Sequence, residues 1–135
     1  MPVRTALIDD SIWMVTIARP AVRNAVDGPT AALLAAAFRE FEQRDELSVA
    51  VLTGAGGTFC AGADLKAVGA GSGNRVDADI TRDGPMGPTR MLLSKPVIAA
   101  VEDEAHCRDV VQQLSAVSKA VDRAGFLVVA GALKE

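Results

Sequence analysis

The feature that most constrains this chain is a glycine-rich stretch, residues 54–65 (GAGGTFCAGADL), which directly follows the short apolar run Leu47–Thr53. The apolar run is typical of a buried strand, and the small residues after it let the backbone turn sharply. Such turns let a ligand approach main-chain N–H groups, which can stabilise an anion or a developing oxyanion. On residue chemistry alone, an oxyanion or phosphate loop and an ordinary tight turn both stay open.

The residues before this stretch predict a strand and a helix. Ser11–Ala18 is rich in β-branched residues and ends at an Arg-Pro pair, which predicts a strand. Apolar residues at helical spacing predict a helix over 29–43, with a proline in its first turn and Asp27 or Gly28 as its cap. Strand, helix and strand in this order predict an α/β fold.

The rest of the chain changes character twice. Residues 68–88 combine glycines with scattered charges and predict a mobile surface loop. Met91–Ser94 predicts a short helix, and Val97–Val101 predicts a buried strand. Over 103–135 apolar residues recur at helical spacing, which predicts a mainly helical segment in which 126–130 fits a helix or a strand. The apolar stripe of that segment consists of Val110, Leu114, Val117 and Val121.

Composition narrows the function classes. With 135 residues, 50% of them hydrophobic and 23% charged, the chain is expected to be soluble and globular. A net charge of -3 argues against a general attraction to nucleic acid or anionic membranes. Cys60 and Cys107 match no metal-knuckle spacing, which favours a reducing compartment and a cytoplasmic protein. We expect no signal peptide and no membrane anchor, since no segment reaches the ~20 apolar residues of a membrane span.

Four blocks, in order, resemble the crotonase (enoyl-CoA hydratase/isomerase) superfamily. They are RPAVRNA at 19–25, VAVLTG at 49–54, TFCAGADLK at 58–66 and SKPVIAAVE at 94–102. The resemblance covers about residues 3–102 and implies an α/β fold of the crotonase type, a partial spiral of ββα units. It also implies acyl-CoA thioesters as ligands, with coenzyme A as part of the substrate and no separate cofactor.

The resemblance assigns roles to individual residues. The backbone N–H of Ala63 is expected to form one half of the oxyanion hole for the thioester carbonyl. Six residues match positions that line the coenzyme A channel in this family: Arg23, Ala25, Ala61, Asp64, Leu65 and Lys66. Two of them keep a second interpretation, because Arg23 also fits a solvated loop arginine and Asp64 also fits the N-cap of a following helix.

The resemblance to crotonases ends near residue 102. The family continues with a second oxyanion donor and the catalytic glutamates, and neither is recognised in 103–135. We therefore divide the chain into a truncated acyl-CoA-binding region, 1–102, and a helical segment, 103–135. The first is expected to bind at best, without turnover, which leaves open whether the chain is an enzyme. The strands at Val49–Thr53 and Val97–Val101 are expected to expose apolar faces and to promote self-association.

Residues 106–135 resemble the later part of a CsoR-type metal-sensing repressor. Cys107 matches that family's first thiolate ligand, and thiolates suit Cu(I). Ala132 stands where the family has a histidine, and neighbouring side chains such as His106 and Cys107 point in different directions on a helix, so we predict no metal site. Two alternatives to acyl-CoA binding stay open: a metal- or thiol-responsive repressor fragment, and a fused fragment without function.

Overall fold

The computed structural model describes residues 1–101, whose strands form one four-stranded sheet. β1 (Val3–Ile8) and β2 (Ile12–Ile17) pair as an antiparallel hairpin. β3 (Val49–Gly54) and β4 (Val97–Ala99) extend the sheet in parallel, so that the spatial order is β1-β2-β3-β4. The mixed sheet and its helices confirm the predicted α/β class.

β1 is an element that the sequence analysis did not predict. Its connection to β2 passes through Asp9 and Asp10, which both have positive φ angles, 49° and 61°. Two consecutive residues with positive φ match the right-handed twist of a hairpin, and aspartate tolerates that conformation better than most residues. Val3 is the only buried residue of β1. The strand therefore has little of the alternation between buried apolar and exposed polar residues by which a half-buried strand is recognised in a sequence.

α1 (Gly28–Gln43) is the predicted helix and begins one residue before the predicted start. The Asp27 carboxylate accepts a hydrogen bond from the Thr30 N–H at 2.9 Å, which confirms Asp27 as the N-cap. Further along the helix, the indole N–H of Trp13 in β2 donates to the Ala37 carbonyl at 3.1 Å. This bond is buried and fixes the helix against β2.

The main core lies between α1 and the sheet. Leu34, Phe38 and Phe41 of the helix pack with Trp13 and Val15 of β2. The two phenylalanine rings meet edge to face with their centroids 6.5 Å apart. Burial of side chains of this size contributes about 1.5–3 kcal/mol each. The core therefore fixes α1 against β2.

The second face of the sheet carries a smaller apolar cluster. Ile12, Val49 and Val51 are buried there, so the predicted exposed face at Val49–Thr53 is wrong. β4 behaves differently, because it is the edge strand of the sheet within the described part of the chain. Val97 is 39% exposed and Val101 63%, so the strand is not buried as its apolar sequence predicted, and the expected exposed apolar face is present here.

One further prediction concerns the segment just before β4. The helix predicted at Met91–Ser94 is wrong, since these residues are neither helical nor paired as a strand and follow a short 3-10 turn at Pro88–Arg90. The Ser94 N–H and hydroxyl donate instead to the Glu42 carboxylate, which ties the end of this segment to α1.

The predicted surface loop, 68–88, is largely irregular, although α2 (Leu65–Gly69) takes its first residues. Gly87, with a φ of 99°, lies directly against the Ala31 carbonyl of α1.

Among residues 1–101, no helix is long and apolar enough to cross a membrane. The predicted helical segment 103–135, with Cys107 and the apolar stripe, lies outside the described residues.

Candidate functional site

The predicted site lies where the segment after β2 meets the glycine-rich segment after β3. Val26 and Ala63 form an isolated parallel bridge between the two segments. The Val26 N–H donates to the Gly62 carbonyl at 2.8 Å, and the Val26 carbonyl accepts from the Asp64 N–H at 2.9 Å. Segment 61–64 is therefore held from both sides of Ala63.

The bridge also fixes the direction of the Ala63 peptide groups. In this parallel bridge Val26 bonds to the two residues on either side of Ala63, which are Gly62 and Asp64. The N–H and C=O groups of Ala63 itself therefore point away from Val26. Ala63 is exposed, and its N–H donates no hydrogen bond to any residue of 1–101. Gly62, with a φ of 97°, makes the turn that this arrangement needs. The Ala63 N–H is thus an outward-facing donor on a fixed backbone.

Arg19, at the end of β2, ties the surrounding groups together. Its Nη2 lies 3.1 Å from Asp64 Oδ2 and 3.3 Å from Asp27 Oδ2, and its Nη1 donates to the Ala25 carbonyl. The side chains of this cluster are only 12–20% exposed, so their charges are less screened than those of a surface pair. One guanidinium therefore joins the carboxylates that begin α1 and α2.

Asp64 is the N-cap of α2, as predicted. Its Oδ1 accepts the N–H groups of Lys66 and Ala67 at 3.1 and 3.2 Å. The Ala67 N–H, with help from Arg19, lowers the pKa of Asp64 even though burial raises it. Burial also raises the pKa of Asp27, but hydrogen bonds from the first turn of α1 and the charge of Arg19 outweigh it, so that pKa is lowered as well. Both carboxylates are anions at neutral pH and already have partners.

Asn24 is the second anchor of the loop. It is fully buried and has a left-handed backbone with a φ of 58°. Its Oδ1 accepts the Arg19 N–H at 2.8 Å, and its Nδ2 donates to the carbonyls of Ala55, at 2.8 Å, and Thr58. A Cβ at Gly54 would overlap the Thr58 carbonyl oxygen, so only glycine fits beside this turn. The segment after β2 therefore shapes the glycine-rich turn after β3.

The predicted site residues all lie on these two segments and the start of α2. They are Arg23, Ala25, Ala61, Ala63, Asp64, Leu65 and Lys66. Four of the six channel residues are exposed, among them Leu65 at 80%, and Ala61 also donates its N–H to the Arg23 carbonyl at 3.1 Å. Ala25 is buried, and its N–H and carbonyl are both used within the protein, the latter by Arg19.

A cavity of about 420 Å³ lies elsewhere, between α1 and the loop at 75–87. None of the seven predicted site residues lines it, and the arginines Arg39 and Arg82 in its wall are paired with aspartates of the same loop. The seven predicted site residues therefore lie around Ala63 and not at this cavity.

Comparison with known proteins agrees with this geometry. Residues 8–107 match the model of a family described as enoyl-CoA hydratase/isomerase. The chain belongs to the enoyl-CoA hydratase/isomerase family. This confirms the crotonase resemblance, which rested on four short blocks of sequence.

Two relatives and one solved structure show how far the likeness extends. Enoyl-CoA hydratase EchA19 of Mycobacterium tuberculosis is 38% identical over 99 residues, 68% of this chain and 36% of that protein. Carnitinyl-CoA dehydratase of Proteus mirabilis is 41% identical over 97 residues, 70% of this chain and 36% of its own length. A crystal structure of a probable enoyl-CoA hydratase/isomerase from Mycobacterium abscessus superposes with a TM-score of 0.64 at 42% identity, covering 75% of this chain and 37% of that one. The chain thus spans a little over a third of these family members.

The C-terminal part of this hydratase/isomerase family member has a second match. Residues 95–135 match the model of a metal-sensitive transcriptional repressor family, which confirms the second resemblance. The two matches overlap over residues 95–107. The boundary at residue 102 stays a prediction, and Cys107 and His106 lie outside the described residues.

Two residues that hold the candidate site of this family member together, Arg19 and Asn24, were not predicted individually. Both belong to the RPAVRNA block that carried the resemblance, so the block pointed to the right segment. Their roles depend on partners such as Asp64, 45 positions from Arg19, and Ala55, 31 positions from Asn24. Spacing along the sequence does not show such pairings.

Proposed function

We propose that this chain binds an acyl-CoA thioester at the surface formed by residues 23–26 and 61–66. The observation that supports the proposal is the outward N–H of Ala63, which is held by the bridge to Val26 and has no acceptor within 1–101. An N–H in that position can donate to the thioester carbonyl oxygen. A fixed donor of this kind is worth roughly 3 kcal/mol when negative charge develops on the oxygen.

Coenzyme A contacts are proposed for the six channel residues: Arg23, Ala25, Ala61, Asp64, Leu65 and Lys66. The exposed cations Arg23 and Lys66 suit phosphate oxygens, and the exposed side chain of Leu65 suits the apolar part of the pantetheine. Ala25 is expected to contribute only van der Waals contact, because its own N–H and carbonyl already have partners.

We further propose that the chain binds the thioester without hydrating it. Hydration needs an acid and a base that exchange protons with water and substrate. The carboxylate next to Ala63 along the chain, Asp64, accepts two helix N–H groups and pairs with Arg19. Its pKa is lowered, which makes it a poor proton donor at neutral pH. The same argument applies to Asp27.

The first test is thermal unfolding with and without acetoacetyl-CoA. A ligand at about 100 times its Kd stabilises a folded protein by roughly 2.7 kcal/mol, so a cooperative transition is expected to move upward. Free coenzyme A serves as the comparison, because it lacks the carbonyl that the Ala63 N–H would bind. An unmoved transition contradicts the binding proposal.

A second test removes the Ala63 N–H and keeps the side chain, by an amide-to-ester replacement of the peptide bond between Gly62 and Ala63. The replacement also makes the Gly62 carbonyl a weaker acceptor for the Val26 N–H, so the free energy of unfolding is measured alongside the affinity. The affinity for acetoacetyl-CoA is expected to fall about tenfold, which corresponds to about 1.4 kcal/mol. The matched control is the same replacement at Ala78, an exposed loop residue whose N–H donates no hydrogen bond within the described part of the chain. An equal effect at both positions contradicts the proposed donor.

The match at 95–135 favours a second candidate, a metal- or thiol-responsive repressor fragment. Cu(I) binding that the Cys107→Ala substitution abolishes supports this candidate. Acyl-CoA binding that does not depend on Cu(I) supports the first proposal. A chain that shows no cooperative unfolding transition supports the remaining alternative, a fused fragment without function.

A further inference from the structure

We propose that Arg19 is the residue that positions the Ala63 N–H for the thioester carbonyl. The inference rests on the proposed function, because it assigns a role within the same site. Arg19 does not reach the ligand surface through its own donors, which are directed at Asp64, Asp27 and the Ala25 carbonyl. It acts through Asp64, the residue that follows Ala63 in the chain.

Asp64 connects Arg19 to the segment that carries the Ala63 N–H. Its N–H bonds to Val26, its Oδ1 caps α2, and its Oδ2 pairs with Arg19 at 3.1 Å. The direction of the Ala63 N–H depends on the peptide plane between Gly62 and Ala63, which is fixed only while the bridge on both sides of Ala63 is intact. Arg19 is therefore the side chain that anchors one end of the donor segment to the end of β2.

Arg19 also neutralises two neighbouring carboxylates, those of Asp27 and Asp64. Asp27 and Asp64 both lie within 3.3 Å of the same Nη2 and are 19% and 12% exposed. Two carboxylates this close to a common point repel each other when the cation between them is removed. They begin α1 and α2, and the Val26–Ala63 bridge lies between those helix starts. Loss of Arg19 is expected to separate the helix starts and to strain the bridge.

An arginine suits this place better than a lysine. Three acceptors are served by one planar group with five N–H donors in a fixed fork. A lysine ammonium keeps the charge but cannot hold all three acceptors in the same geometry. Arg19→Lys is therefore expected to be an intermediate variant, and Arg19→Gln the full loss.

The test compares two ligands across variants of the full chain. Butyryl-CoA carries the thioester carbonyl, whereas S-butyl-CoA has a CH₂ group in its place, so the ratio of their Kd values reports on the N–H donor. The unmodified chain is expected to bind the thioester about tenfold more tightly. Arg19→Gln is expected to reduce the ratio to about one while the Kd of S-butyl-CoA changes less than threefold, and Arg19→Lys to give a ratio in between.

Asp64→Asn provides a second, more selective variant. Asparagine caps a helix as well as aspartate does, so the bonds to Lys66 and Ala67 are kept while the pair with Arg19 is lost. The same fall in the ratio is expected, and combining it with Arg19→Gln should lower the ratio no further, because the pair between Arg19 and Asp64 is lost in either variant. This variant tests the proposal even if Arg19→Gln does not fold.

Arg82→Gln is the matched control, because Arg82 also lies between two aspartates, Asp77 at 3.5 Å and Asp79 at 3.9 Å, but on the exposed loop. Its ratio should equal that of the unmodified chain. The inference about Arg19 is overturned if the unmodified chain discriminates tenfold and both Arg19→Gln and Asp64→Asn still do so. An unmodified chain that binds neither ligand, or binds both equally, refutes the proposed function itself and the positioning role with it.

Discussion

Replacing Asn24 by aspartate tests whether one buried amide shapes the glycine-rich turn. The two side chains have nearly the same shape, so the change is confined to hydrogen bonding. The substitution removes the donors to the carbonyls of Ala55 and Thr58. A buried carbonyl left without its donor costs about 1–3 kcal/mol, so we expect the free energy of unfolding to fall by about 4 kcal/mol at pH 7.

The loss of unfolding free energy is expected to become smaller as the pH falls. Burial beside two carbonyl oxygens raises the pKa of the introduced carboxyl above its value in the unfolded chain. As the pH falls through that raised pKa, the folded state takes up a proton first, and the deficit relative to the unmodified chain shrinks. A protonated carboxyl can donate to one of the two carbonyls. About half of the deficit, roughly 2 kcal/mol, should therefore remain in acid.

The assay is urea unfolding followed by the fluorescence of Trp13, which is the only tryptophan and is 5% exposed. Variant and unmodified chain are compared at pH 7 and pH 5. Asn74→Asp is the matched control, since the Asn74 amide donates to one carbonyl, that of Pro85, in the loop after α2. A deficit for Asn24→Asp below about 1 kcal/mol at pH 7, or one that grows as the pH falls, refutes the reasoning.

Three further predictions use the same unfolding assay. Asp27→Ala should lower the free energy of unfolding by about 1 kcal/mol or more, because the cap on the Thr30 N–H is lost; no change contradicts the capping role. The pKa of Asp27 is lowered in the fold: burial raises it, but the Thr30 hydrogen bonds outweigh burial. Its contribution is therefore fully present above the unfolded-state pKa and is lost as the pH falls through the folded one, and Asp27→Asn should flatten that decline. Gly87→Ala should cost about 1–3 kcal/mol, since its φ is 99° and a Cβ would overlap the Ala31 carbonyl; Gly71→Ala, at a φ of 82° in open space, should cost less.

The parts of the fold that the sequence predicted are those set by local patterns. α1 has its apolar residues at helical spacing, and its cap is the aspartate that the pattern indicated. β2 and β3 are continuous in apolar and β-branched residues, so they were predicted within one or two residues at each end. Asp64 was recognised as a cap for the same reason, because the N-cap preference depends on residues close in sequence.

The wrong predictions concern segments whose structure depends on their position in the fold. An apolar run such as Val97–Val101 has the same sequence signature at the edge of a sheet as in its centre, and only the strand order shows that β4 is an edge. Met91–Ser94 was predicted as a helix, but the Ser94 N–H donates to the carboxylate of Glu42 on α1, a residue 52 positions earlier. In both cases a residue or strand distant in sequence outweighs the local preference.

The side-chain contacts that build the candidate site were harder to predict than the position of its proposed donor. The proposed donor is a main-chain N–H, so it needs only a small residue at Ala63, and the resemblance to crotonases assigned it to that position. The polar side chains around it, those of Arg19, Asn24, Asp27 and Asp64, bind one another and the backbone. A side-chain change at Ala63, such as Ala63→Ser, should therefore leave the donor in place. Changes at Arg19 or Asn24 should displace the Ala63 N–H, although neither residue carries it. The direction of that N–H depends on the hydrogen bonds and ion pairs that these two side chains make with the surrounding backbone and carboxylates.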